Sequence, residues 1–171
     1  MADASVRPAT PADAGALAGV QLGSWRAGGA PPEVAALPEA EVAAAWEQAI
    51  RLAPTPRHRV LAACAGAEVV GFAALGPGED ERNAELLELH VRPDRRREGH
   101  GSRLLAASVD HVRAQGAETA TAWVGATEDA ARAFLSAAGW GPDGAHRTLD
   151  LRGDGEVVVR QVRLHTDVRD A

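Results

Sequence analysis

The sequence predicts a fold of the α/β (α+β) class, a mixed β-sheet covered by helices. Three observations carry that expectation. Segments of strand and helix periodicity follow one another in the order β–α–α–β–β–β–α–β–α–β–β. Strand candidates dominate the middle and the end, so one sheet must be shielded by the few helices between them. The 46% apolar and 25% charged content is that of an ordinary globular protein. At 171 residues the chain suits a single domain over residues 1–171, and no repeat or low-complexity linker marks a second.

The elements are justified in turn. A short strand around Ser5–Arg7 leads to Thr10, a helix N-cap, with Pro11 at the first helical position and Asp13 near the third. Leu17, Val20 and Trp25 continue that helix's apolar face. "AGGAPPEVAALP" (27–38) breaks the pattern as a loop or helical turn, and helical spacing returns through Val42, Trp46, Ala49 and Ile50. "RVLAACAG" and "AEVVGFAALG" read as a hairpin joined through "AGAE". "GPGEDERN" is a charged turn, and "AELLELHV" is a long strand ended by Pro93. From Ser102, Leu104, Leu105, Val109 and Val112 mark a helix that stops at Gly116. "ETATAWV" is a strand. "TEDAARAFLSAAG" is a helix capped by Thr127, and "HRTLDL" and "EVVVRQVRL" flank "RGDG", whose Asp-Gly favours a hairpin turn.

Composition removes several functions. A net charge of −6 argues against a general nucleic-acid binder. No apolar run approaches the roughly 20 residues of a membrane span. "MADASVRPAT" lacks the basic and apolar regions of a secretory signal, and the single Cys64 forms no internal disulfide, so a cytoplasmic protein is expected. No histidines pair at helical spacing and no CxxC occurs, so no metal is expected. Every positive side chain is arginine and tyrosine is absent; the Ala-, Gly-, Arg- and Pro-rich usage suggests a GC-rich bacterial genome.

"HVRPDRRREGHGSRLL" (90–105) carries the chemistry. A strand, a glycine-containing loop and a helix start aim free backbone N–H groups at an anion, and the helix dipole adds positive charge there. Gly99 and Gly101 permit a tight turn and a close approach. Taken alone, the stretch is equally a solvated basic turn capping a core helix. It is neither a Walker loop nor a G-x-G-x-x-G fingerprint, because the third glycine would fall at Leu104. Between His90 and Val112 no Phe, Trp or Tyr is available to stack a base, which weighs against nucleic acid.

The larger pattern decides. Arg96-Arg97-Glu98-Gly99-His100-Gly101 resembles the [Q/R]-x-x-G-x-[G/A] acyl-CoA pyrophosphate loop of the GNAT superfamily of N-acetyltransferases, and "FLSAAGW" (134–140) is similar to that family's F-Y-x-x-x-G-F. The element order matches along nearly the whole chain. The resemblance implies a mostly antiparallel sheet of six to seven strands, about four helices, and a wedge where the fourth and fifth strands separate.

By the same resemblance the co-substrate is acetyl-CoA. The amides of Arg97, Glu98, Gly99, His100, Gly101 and Ser102 would cradle its pyrophosphate, and the backbone of Leu89 and Val91 would run beside the pantetheine arm. Arg96 would brace the loop, with Arg95, Arg97 and Arg103 reaching the 3′-phosphate. His100 is expected to point outward. Glu128 stands where the family often has Asn, and Phe134 packs either near the cofactor or in the core.

The resemblance implies as acceptor a primary amine of a small molecule or a protein, protonated at neutral pH, so that its attack needs a base. By resemblance, a backbone N–H near Leu89–Val91 serves the developing oxyanion. Glu85, where many members carry a glutamate, is the first candidate base; Glu88 and His90 share strand parity and are the alternatives. By the same resemblance the fourth and fifth strands separate around a bulge, which makes parity unreliable across this segment. The family's Tyr general acid is Leu135 here, which leaves a non-catalytic acyl-CoA-binding module as the rival reading. An acceptor site is expected around Trp25, Trp46, Trp123, the "AGGAPPE" loop and "GPDGAHRT"; many members are homodimers.

Overall fold

The computed structural model describes residues 3–28 and 30–170; Gly29, within the "AGGAPPE" loop, lies outside the described residues. Strand β1 (Ala4–Pro8) is followed by a 3-10 turn (Pro11–Asp13) that runs into helix α1 (Ala14–Arg26). Asp13 accepts the Thr10 amide at 2.7 Å and both Nη groups of Arg7 at 2.8 and 2.9 Å. The guanidinium holds the Asp13 carboxyl well below the usual carboxylate range, although burial opposes it. Next come α2 (Pro32–Ala35), a single turn within the expected break, and α3 (Glu39–Arg51).

Strands β2 (Arg59–Ala65), β3 (Glu68–Pro77) and β4 (Asn83–Val91) form an antiparallel meander. Helix α4 (His100–Ala114), β5 (Thr119–Gly125), α5 (Asp129–Ala137), β6 (Gly141–Asp150) and β7 (Val158–Asp167) complete the chain. The seven strands form one sheet in the order β1-β2-β3-β4-β5-β7-β6, antiparallel except for β4 beside β5. No helix among the described residues is long and apolar enough to cross a membrane.

Two details of the expectation are corrected. Helix α4 starts at His100 rather than Ser102, because Gly99 takes φ +84° and turns the chain into the helix at once. Helix α5 is entered through Glu128 and not capped by Thr127: the Glu128 carboxylate accepts the Gly125 amide at 2.7 Å and closes the turn itself.

The sheet has two unlike faces. On one, α4 and α5 bury Leu104, Leu105, Val112 and Leu135 against Leu61, Ala73, Leu75, Leu86 and Ala122. On the other, α1 and α3 cover β2 to β4, with Leu17 and Val20 on Phe72 and Trp46 edge-on to Phe72 at 4.9 Å. The Trp46 Nε1–H donates to Gln21 at 2.8 Å, so this indole is part of the packing between helices and sheet. Burying each such large apolar side chain stabilises by about 1.5–3 kcal/mol.

The β3–β4 register fixes the active face. Leu75 pairs with Leu86 but Ala74 pairs with Glu88, so Leu87 is an extra residue bulged out of the ladder. Without the bulge, Glu85 and Glu88, three positions apart, would face opposite sides. With it, Glu85, Glu88 and His90 all face the α1/α3 side, opposite Gly76, Ala74 and Phe72.

Candidate active site

Strand β4 pairs with β5 only from Asn83 to Leu86, opposite Thr119 to Ala122. Beyond Leu86 the strands part, leaving Leu87–Val91 laddered to β3 alone while β5 pairs onward with β7. The bulge at Leu87 sits at the point of parting and increases the local twist. An edge of main-chain donors and acceptors thus opens in the middle of the sheet, where an extended ligand can be held as a strand would be.

At the end of that edge lies the arginine–glycine loop. A 3-10 turn at Pro93–Arg95 is followed by Arg97 at φ +68° and Gly99 at φ +84°. The left-handed conformation costs a non-glycine residue about 1–2 kcal/mol, a strain that Arg97 carries. The Arg103 amide donates to Gly99 O at 3.1 Å, so the amides of His100, Gly101 and Ser102 form the unsatisfied first turn of α4. A Cβ on Gly101 would lie 3.4 Å from Phe134 Cζ and 3.7 Å from Val91 Cγ2. Phe134 is therefore both a member of the core periphery and the floor under the loop.

The arginines divide. Arg95 is held by Glu98 at 3.1 Å and Glu68 at 3.4 Å, and Arg92 binds Glu68 and Asp94. Arg103 Nη1 donates to the Glu98 carbonyl at 3.1 Å, while Arg96 reaches across to Ser24 Oγ at 3.3 Å. Arg97 has no ion pair among the described residues. The expectation that His100 points outward is wrong. Its side chain is 3% exposed, with Nε2 3.2 Å from Glu98 Oε2, because residue 100 is already in the first helical turn and packs inward. The Arg95 guanidinium, together with His100, holds the Glu98 carboxyl below its ordinary value.

On the α1/α3 face of β4, His90 Nε2 lies 2.6 Å from Glu88 Oε2, and its Nδ1 lies 3.1 Å from Ser24 Oγ on α1. Trp25 stands edge-on to the imidazole at 6.3 Å and Phe72 lies against it at 5.3 Å. Glu88, His90, Ser24 and Arg96 thus form one hydrogen-bonded chain from the wedge to the loop. Ser24 escaped sequence reading, since it is 66 positions from His90 in an otherwise unremarkable helix.

Glu85 belongs to a different cluster. Burial pushes its carboxyl above the ordinary value, helped by Glu79 and opposed by the positive charges of Arg147 and Arg163. Opposite Glu85 is Thr121, and two residues along β5 Trp123 carries the Arg147 guanidinium 4.3 Å from its ring centroid. Arg163 lies between Asp143 at 2.6 Å and Glu79 at 2.5 Å. Sequence reading placed Trp123 and "GPDGAHRT" near an acceptor, but missed Glu79, Arg163 and Gln161, which only strand pairing brings there. Leu135, at the position of the missing tyrosine, is buried in the core at 5% exposure. Glu128 is committed to the Gly125 amide.

The family model described as the acetyltransferase (GNAT) family matches residues 25–140, and the chain belongs to that family. No curated protein matches the sequence. Among solved structures, a GNAT-family protein from Desulfovibrio desulfuricans superposes with a TM-score of 0.74 at 22% identity, over 97% of this chain and 99% of that one. The ribosomal-protein-alanine N-acetyltransferase of Brucella melitensis gives 0.72 at 23% identity, over 95% and 99%. The PaiA N-acetyltransferase of Thermoplasma acidophilum, in complex with coenzyme A, gives 0.69 at 17% identity, over 96% and 99%. At these identities the structures share the fold with this chain.

Proposed function

We propose that the chain, read as one domain, transfers an acetyl group from acetyl-CoA to a primary amine by direct attack in a ternary complex. The observation that carries this reading is the parting of β4 from β5 after Leu86, with free first-turn amides of α4 at one end and a half-buried carboxyl, Glu85, at the other. The Thermoplasma relative with coenzyme A supports the choice of cofactor.

The residues fit such a cofactor. The amides of His100, Gly101 and Ser102 suit a pyrophosphate, with Arg97 near for a further phosphate. The unpaired edge of Leu87–Val91 suits the amides of a pantetheine arm, and an N–H near Leu89 suits the carbonyl oxygen. Acetyl-CoA supplies a thioester carbonyl open to a neutral amine. Glu85 accepts the ammonium proton before attack; its raised proton affinity brings it nearer the amine's own and makes it a better base. As the C–N bond forms and the C–S bond breaks, the second proton of the amine nitrogen would pass through water to the departing thiolate, leaving the amide and the free thiol of CoA. A thiol near pKa 8.5 leaves without strong acid help, which accommodates Leu135.

The Glu85→Gln variant tests the assignment, with thiol release from acetyl-CoA measured over an amine panel. The expected outcome is a fall in kcat of at least 100-fold with CoA affinity near normal. If turnover survives, the Glu88–His90 pair is the base. CoA binding without thiol release from any amine favours the non-catalytic module, to which the burial of Leu135 would then belong.

A further inference from the structure

We infer that the acceptor carries a carboxylate as well as its amine, placing it in the chemical class of free amino acids, and that Arg147 receives that carboxylate. The inference rests on Glu85 marking the amine position. It starts from the sheet face that the helices leave open. Helices α1 and α3 cover β2 to β4, whereas Trp123, Arg147, Gln161 and Arg163 lie on the same face of β5, β6 and β7 beyond that cover, next to Glu85.

The two arginines there are in unlike states. Arg163 is neutralised twice over, by Asp143 and Glu79. Arg147 has no carboxylate partner among the described residues: its Nε donates to the neutral Gln161 Oε1 at 2.7 Å. Its plane is held over the Trp123 indole at 4.3 Å, a cation–π contact that orders the guanidinium without discharging it. With Nε used and the plane fixed, the terminal Nη edge presents paired donors, the geometry that matches a carboxylate in two parallel bonds.

The sign and size of the ligand follow from the neighbours. Glu85 pairs with Thr121, Trp123 follows two residues along the same face of β5, and the Arg147 guanidinium lies 4.3 Å from that ring's centroid, so an amine at Glu85 and an anion at Arg147 are within the span of one small molecule. A monoanion is favoured: with Arg163 shared between Asp143 and Glu79 that cluster keeps one negative charge in excess, which weighs more against a dianionic phosphate than against a carboxylate. A cationic polyamine finds its cation–π position on Trp123 already taken by Arg147.

The test uses thiol release from acetyl-CoA with sets of three acceptors sharing one side chain: the amino acid, its amide and the decarboxylated amine. For at least one side chain, kcat/KM for the acid is expected to exceed that for the amide by tenfold or more. In Arg147→Gln the ratio should fall towards one, chiefly through KM of the acid. Arg160→Gln, on the opposite face of β7, should keep the ratio. Arg147 is exposed, so the variant should fold, and its melting temperature verifies that. Equal turnover of acid and amide, the result a peptide N-terminus acceptor predicts, overturns the inference, as does a ratio that survives Arg147→Gln. Either result leaves amine acetylation standing. Absence of turnover with every amine instead overturns the transferase reading, and this inference with it.

Discussion

Glu85 shows how a single carboxyl couples function to stability. Folding raises its proton affinity, burial being the largest cause. A carboxyl so raised contributes stability that is full below the unfolded value and is lost as pH rises through the folded one. Above that, the carboxylate is held partly out of water at a cost. Glu85→Gln keeps the shape of the protonated form, so its melting temperature should exceed that of the parent at pH 8. The difference should vanish as pH is lowered through the carboxylate range; a difference independent of pH would show that Glu85 is not the titrating group. Glu85, Glu88 and His90 were all legible as candidates because they are acids or imidazole beside a recognisable loop. Ser24 and Gln161 were not, since hydroxyls and amides gain a role only from what a distant element brings within hydrogen-bonding distance.

At the scale of elements, the glycine loop was the most legible feature, because its chemistry is local. Gly99 has to turn left-handed to start α4, and its φ of +84° makes any side chain costly. Gly99→Val should weaken CoA binding at least tenfold, about 1.4 kcal/mol, as titration calorimetry would measure. Unchanged affinity in a folded variant would remove the loop from the cofactor site. Boundaries were less legible. Helix α4 begins at His100 because the turn is completed by Gly99 alone, and that shift of two residues is what buries the His100 ring. A bulge in β4 was expected only through the family resemblance and not from any local residue pattern, yet at Leu87 it decides that three candidate residues share a face.

For the whole molecule, the wedge implies a chain that binding completes. The stretch Leu87–Val91 lacks a partner on its β5 side, so a ligand held there as an added strand joins the two halves of the sheet. Acetyl-CoA at 100 times its Kd should stabilise the fold by about 2.7 kcal/mol, a rise in Tm of roughly 5 to 10 °C. The same addition should slow hydrogen exchange within Leu87–Val91. A Tm rise without protection there would place the cofactor elsewhere.

The sequence by itself determined the order of elements, the mixed sheet under helices and the phosphate-ready loop, because each depends on periodicity, capping and glycine conformation over a few neighbouring residues. Tertiary structure alone decided which side chains meet. The bulge put Glu85 on the same face as Glu88 and His90, the β5–β7–β6 pairing carried Arg147 and Arg163 to Trp123, and α1 delivered Ser24 to His90. Those contacts join residues up to 66 or 84 positions apart, and only strand register and helix packing can set such distances.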